Sequence, residues 1–241
     1  TANSNTAVGY RSIDQNTTGA QNTAIGREAL YSVATTDNNT SVGYRSLYVN
    51  TSSNNTAVGS KALLANTTGA GSVAIGYEAL TAATTGGQQV AVGYRALKST
   101  TTNEDNVAVG YEALEACTSG KNTAVGWNAI KADSGAVYCT AVGYDALAHQ
   151  TGTRSHNTAI GNRAMQAVVV SNNNTAVGSE ALYSLTGGAQ NTAVGKAALY
   201  TNTDSGHDNI AIGYEALKLC HQGDKNISIG TYSADALTSG I

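Results

Sequence analysis

Asn122-Thr123-Ala124-Val125-Gly126 is one copy of a segment that the chain repeats from end to end. A glycine closing N-T-A-V-G or a close variant recurs at Gly9, Gly26, Gly43, Gly59, Gly76, Gly93, Gly110, Gly126, Gly143, Gly161, Gly178, Gly195, Gly213 and Gly230, at steps of 16, 17 or 18 residues. A period this regular marks a stacked repeat architecture. It predicts an all-β parallel β-solenoid, or β-roll, of about fourteen 17-residue coils that forms a single repeat domain over residues 1–241.

Aligning the coils on their glycines turns the sequence into columns. Val or Ile stands immediately before every glycine. Ala stands two before it, except at Ser41 and Ser228, and the residue three before it is always β-branched, Thr in nine coils and Val or Ile in the rest. Such alternation predicts a short strand ending at a glycine whose positive φ turns the chain, as at Gly59, Gly76, Gly93, Gly110, Gly126 and Gly143. The branched face is expected to point inward, so that Val58, Ile75, Val92, Val109, Val125 and Val142 form the coil core. The Ala face would then admit another backbone at close range.

Four before glycine, eleven coils carry Asn, with Ser72, Gln89 and Cys139 as replacements. Stacked carboxamides can bond from coil to coil as in cross-β ladders, and Asn is equally a turn residue. After glycine comes an aromatic residue in eight coils, then usually a charge, then Ala or Ser, then Leu, Ile or Met, as in Tyr77-Glu78-Ala79-Leu80. This segment is expected to form a second strand or extended turn, with a single helical turn as the alternative. After Gly230, Thr231-Tyr232-Ser233 precede Ala234-Asp235-Ala236-Leu237, which reads as a three-residue insertion.

The charged column, two after glycine, tests the stacking. Of its eight directly successive charged pairs, seven are opposite in sign and only Arg45 with Lys61 is alike. At a strand spacing of about 4.8 Å this becomes a ladder of ion pairs that disfavours slipped register.

Composition narrows the function. With 12% charged residues and a net charge of −3, the chain has no basic field for a nucleic-acid backbone. No apolar run approaches the roughly 18 residues that span a bilayer, so no membrane insertion by this stretch is expected. The sequence opens at Thr1 in mid-repeat and is expected to be a fragment of a longer fibre. Cys117, Cys139 and Cys220 fall too many coils apart to pair in a straight stack and are expected to be free thiols. Asn-X-Thr/Ser triplets such as Asn16-Thr17-Thr18 follow from the repeat's own composition.

Each coil offers little apolar area against the roughly 1–2 kcal/mol of backbone entropy that each ordered residue loses. Association with copies of itself would relieve the deficit, and a trimer is the simplest closed arrangement about a fibre axis.

The repeated N-T-A-V-G-Y-E-A-L with N-T-T-G loops resembles two related repeat regions, and the resemblance covers the whole chain. One is the head of trimeric autotransporter adhesins, whose coils carry a similar S-V-A-I-G core. The other, closer in the Y-x-A-L extension and the T-T-G loop, is the repeat region of phage tail fibres. The resemblance implies a left-handed, trimeric β-roll on a virion tail or cell surface that mediates attachment to a host. A spacer filament without its own receptor site is the alternative.

No catalytic constellation, metal site or cofactor motif is read, and an enzyme is not expected. His149, His156, His207 and His221 lie in variable segments outside the fixed columns. Tyr77, Tyr94, Tyr111, Trp127 and Tyr144, consecutive in one column, are the candidate receptor site, since aromatic faces suit glycans; packing within or between chains is the other role for such a ladder. Ice binding is a third reading, but it would want two outward Thr columns on one strand, and here the Thr shares its face with Val.

Overall fold

The computed structural model describes residues 3–132, 135–150, 154–168, 171–202, 206–220 and 223–237. The protein is an all-β parallel β-solenoid, and by contact it divides into two units, Thr1–Gly120 and Lys121–Ile241. In the first unit the strands Thr6–Val8, Thr23–Ile25, Thr40–Val42, Thr56–Val58, Val73–Ile75, Val90–Val92 and Val107–Val109 pair successively and in parallel. The second unit repeats the pattern with Thr123–Val125, Thr140–Val142, Thr158–Ile160, Thr175–Val177, Thr192–Val194, Ile210–Ile212 and Ile227–Ile229. Column meets column at every pairing, Thr123 on Thr140 and Val125 on Val142 among them.

The strand's two faces are reversed from the sequence expectation. Ala24, Ala57, Ala74, Ala91, Ala124 and Ala141 are wholly buried. Val58, Val92 and Val125 are half-buried, while Ile75, Val109 and Val142 are 40%, 36% and 37% exposed. The reason is the narrowness of the coil. Across its interior the strand Ala meets a second buried small residue three after glycine, such as Ala29, Ala62 or Ala79, and a fully buried Leu such as Leu30, Leu63 or Leu80 fills the remaining width. A branched side chain at the Ala position would overpack this space. Where Ser replaces the strand Ala, Ser stands opposite as well: Ser41 Oγ donates to Ser46 O at 2.8 Å and Ser228 Oγ to Ser233 O at 2.6 Å.

After each glycine the chain forms a turn with two left-handed residues, Glu78 (φ 54°) and Leu80 (φ 51°) in one coil and Glu112 (φ 52°) and Leu114 (φ 53°) in another. These alternating φ signs exclude a strand or an α-helix here and swing the Leu inward. A second parallel sheet begins only six residues past glycine. In the second unit it comprises His149–Gln150, Ala167–Val168, Ser184–Leu185, Thr201–Asn202, Leu219–Cys220 and Ala236–Leu237. Tyr232 (φ 54°) and Ala234 (φ 47°) occupy the same two turn positions, so the coil of Gly230 stays in register and contains no insertion.

Glycine is needed at the turn for two reasons. Gly76 has φ +137°, and a Cβ there would lie 2.2 Å from the carbonyl oxygen of Gly93 in the next coil. Inside the coil the Asn column forms a carboxamide ladder. Asn22 Oδ1 accepts the backbone N–H of Asn39 at 2.9 Å, Asn39 Oδ1 that of Asn55 at 3.0 Å, and Asn55 Oδ1 that of Ser72 at 2.9 Å. The ladder continues in the second unit from Asn157 through Asn174, Asn191 and Asn209 to Asn226. Many of the Nδ2 groups also hold a carbonyl of the following coil, as Asn122 holds Ala136 O at 2.8 Å and Asn191 holds Gly206 O at 2.8 Å.

Gly76→Ala is expected to cost about 3 kcal/mol or more, because both the φ and the neighbouring backbone oppose a side chain. Gly71→Asn, at φ +70° with nothing closer than 3.9 Å, is expected to be near neutral when both variants are compared by urea titration. Asn174→Ala removes the acceptor of the buried Asn191 N–H and is expected to destabilise by about 3 kcal/mol; an unchanged midpoint would contradict the ladder's role.

Candidate functional site

Each strand presents two side chains outward, the β-branched residue three before glycine and the Val or Ile one before it. Stacked in register, they make an uncharged face of β-branched residues in each unit. In the first unit the inner column changes from Thr at Thr6, Thr23, Thr40 and Thr56 to Val at Val73, Val90 and Val107. These branched side chains have few χ1 states to lose when covered. Beside the face runs the aromatic column. Tyr77 and Tyr94 stack with centroids 5.4 Å apart and planes 15° apart, and Tyr94 and Tyr111 stack at 5.0 Å and 7°.

Stacking changes what these rings can do. Both faces of Tyr94 are covered by its neighbours, so a sugar would find ring edges there rather than an open platform. The candidate residues Tyr77, Tyr94 and Tyr111 are thus brought together as a packed ladder in the first unit. Trp127 and Tyr144 belong to the second unit and are 49% and 45% exposed. Between Tyr10 and Tyr44 the column has Arg27, whose guanidinium lies 5.8 Å from the ring centroids of both.

The sequence reading missed a second aromatic column five after glycine, where Tyr31 stacks on Tyr48 at 5.0 Å and Tyr183 on Tyr200 at 4.9 Å. The signal was present, since each pair occupies successive coils, but the column is interrupted between them.

The charged column forms ion pairs between successive coils: Glu28 with Arg45 at 2.6 Å, Lys61 with Glu78 at 3.7 Å, Glu78 with Arg95 at 3.3 Å and Arg95 with Glu112 at 3.9 Å. Arg11 instead turns to Asp14 and to the hydroxyl of Tyr31. A hydrogen bond from Arg45 holds the Glu28 carboxyl below its ordinary value. Burial works against ionisation of Glu78, but hydrogen bonds from Tyr77 and Lys98 and the charge of Arg95 outweigh it, and its carboxyl too is lowered. Glu215 is lowered by Lys218 and in turn accepts from Tyr214, whose hydroxyl is pushed up to about 12.

Among the described residues no group of three or more His, Cys, Asp or Glu side chains is placed to hold a metal ion. Cys117, Cys139 and Cys220 are buried free thiols. His156 stacks on Tyr138 at 5.0 Å, and His207 Nδ1 accepts the Ala189 N–H at 3.1 Å; His221 lies outside the described residues. An open groove of about 300 Å³ is lined by Thr68, Ala70, Thr85, Gly87, Gln88 and Glu104, and it contains no aromatic platform. No helix among the described residues is long and apolar enough to cross a membrane. No protein-family model and no curated protein matches the chain.

The lowered carboxylates fix the direction of the acid response. A group whose folded pKa lies below its unfolded value contributes stability above the unfolded value, about 4.3 for Glu, and loses it as pH falls through the folded one. The urea midpoint is therefore expected to fall on acidification below about pH 4.3. Arg45→Met is expected to flatten that acid limb by returning Glu28 toward its ordinary value; parallel limbs for the two proteins would contradict the pairing.

Proposed function

We propose that this chain is a structural fibre segment that associates with copies of itself through the outer β-branched face and serves, on a virion tail or a cell surface, to attach its bearer to a host. The observation that carries the reading is the orientation of the strand, with Ala or Ser turned in from Ala24 onward and the Val or Ile before glycine left half-buried or exposed on the outside. Seven coils about 4.8 Å apart, each with a strand of three residues about 3.3 Å apiece, give a footprint of roughly 300 Å² per unit. Uncharged patches of that size are commonly places of contact. The interface thus falls on the branched face rather than on the Ala face. A closed arrangement about a fibre axis, such as a trimer, would cover the face on every copy. The resemblance of the N-T-A-V-G-Y-E-A-L repeat to adhesin heads and tail fibres supports the attachment role.

The stacked tyrosines favour a spacer role for their part of the surface over a glycan platform; the exposed Trp127 and Tyr144 are the candidate residues to test on a glycan array. The outward Thr column supports a second reading. Because Val points out, Thr points out beside it, and a regular array of hydroxyls and methyls is the chemistry of an ice-binding face.

Sedimentation equilibrium of the purified chain distinguishes these readings. Self-association predicts a trimer that Val92→Glu and Val142→Glu dissociate while the circular dichroism of the sheet is retained, with no thermal hysteresis. A monomer indifferent to both substitutions would overturn the fibre reading, and a monomer that depresses the freezing point would replace it with ice binding.

A further inference from the structure

Buried carboxamides stack at two positions of the coil in the first unit, at the second of them only as the successive pair Asn50 and Asn66. One is the ladder four before glycine; the other lies seven after glycine, where Asn66 Nδ2 donates to Asn50 Oδ1 at 2.8 Å. Both break in the same coil: Ser72 stands where the first column has Asn, and the fully buried Ala83 follows Asn66 in the second.

Two acceptors beside these breaks lack partners. Asn66 Oδ1 and Gln89 Oε1 belong to residues wholly buried from solvent, and neither makes a hydrogen bond within the protein. Their amide nitrogens are already committed, Asn66 Nδ2 to Gly69 O at 2.8 Å and Gln89 Nε2 to Gly86 O at 3.5 Å. Gly69 and Gly86 lie against each other in successive coils, since a Cβ on Gly69 would come within 2.4 Å of Gly86 O. The two orphan oxygens are therefore anchored about one coil apart, on the same side of the interior, beside the shortened side chains of Ala83 and Ser72. The Gln89 N–H donates to Ser72 Oγ at 3.3 Å, which leaves the hydroxyl hydrogen of Ser72 available.

We propose that a single water molecule is bound inside the coil beside Ala83, donating to Asn66 Oδ1 and to Gln89 Oε1 and accepting from Ser72 Oγ. Three partners are what a structural water ordinarily has, and the donor it supplies to Asn66 Oδ1 is the one that a carboxamide at position 83 would supply, as Asn66 Nδ2 does for Asn50 Oδ1. Neither column contains a carboxylate in this unit, so the site suits a neutral donor rather than a cation. The water splices the amide ladder where the repeat departs from its own pattern.

A crystal structure at a resolution that shows ordered solvent tests this directly. It is expected to contain a peak within hydrogen-bonding distance of both Asn66 Oδ1 and Gln89 Oε1, lost in Ala83→Asn, whose new amide can reach Asn66 Oδ1 as Asn66 reaches Asn50. In thermal unfolding, Ala83→Asn is expected to raise the midpoint by a few degrees and Ala83→Leu, of similar size without donors, to lower it. Absence of the peak in the parent protein, or a stabilisation by Leu equal to that by Asn, would overturn the proposal.

Discussion

The buried carboxamide column holds the coils in step. Along the ladder an Asn such as Asn174 offers its Oδ1 to the backbone N–H of its successor and its Nδ2 to a loop carbonyl one coil on, so a slip of one residue would leave several polar groups without partners in an interior buried from solvent. Sheet hydrogen bonds alone would tolerate such a slip in strands of three residues. The ladder does not, because its donors and acceptors come once per coil.

Several other features follow from that fixed register. With like columns held one above another, the turn glycines must pack backbone to backbone, and the carbonyl of Gly93 then occupies the space that a side chain on Gly76 would need. The same stacking brings Glu78 between Lys61 and Arg95, and Tyr94 between Tyr77 and Tyr111. None of these surface contacts contributes much singly. They are consequences of register that also oppose its loss.

Much of this was legible in the sequence, since period, strand position, register and the alternating charges are all properties of columns. The direction of the strand's faces was not. Alternation identifies two faces, and in a broad globule the branched one goes inside; in a coil this narrow, Ala and Leu fill the interior and Val is left out. The clue lay in Ser41 with Ser46 and Ser228 with Ser233, residues five apart that change together because they touch. The turn after glycine was hidden for a different reason. Glu78 and Leu80 are ordinary helix formers, and only the packing of Leu80 into the core fixes their left-handed conformation. The aromatic column was visible, but its stacked geometry, which takes away the ring faces a sugar would use, depends on distances that spacing does not give.

Backbone amide hydrogen exchange on the native protein tests the central role of the ladder most directly. If side-chain oxygens bind coil to coil, the N–H groups of Asn39, Asn55, Asn191, Asn209 and Asn226, all outside the strands, will exchange as slowly as the strand amides of Thr40 and Thr192. Exchange of those five amides at the rate of exposed loop positions such as Gly71, with the strands still protected, would contradict it.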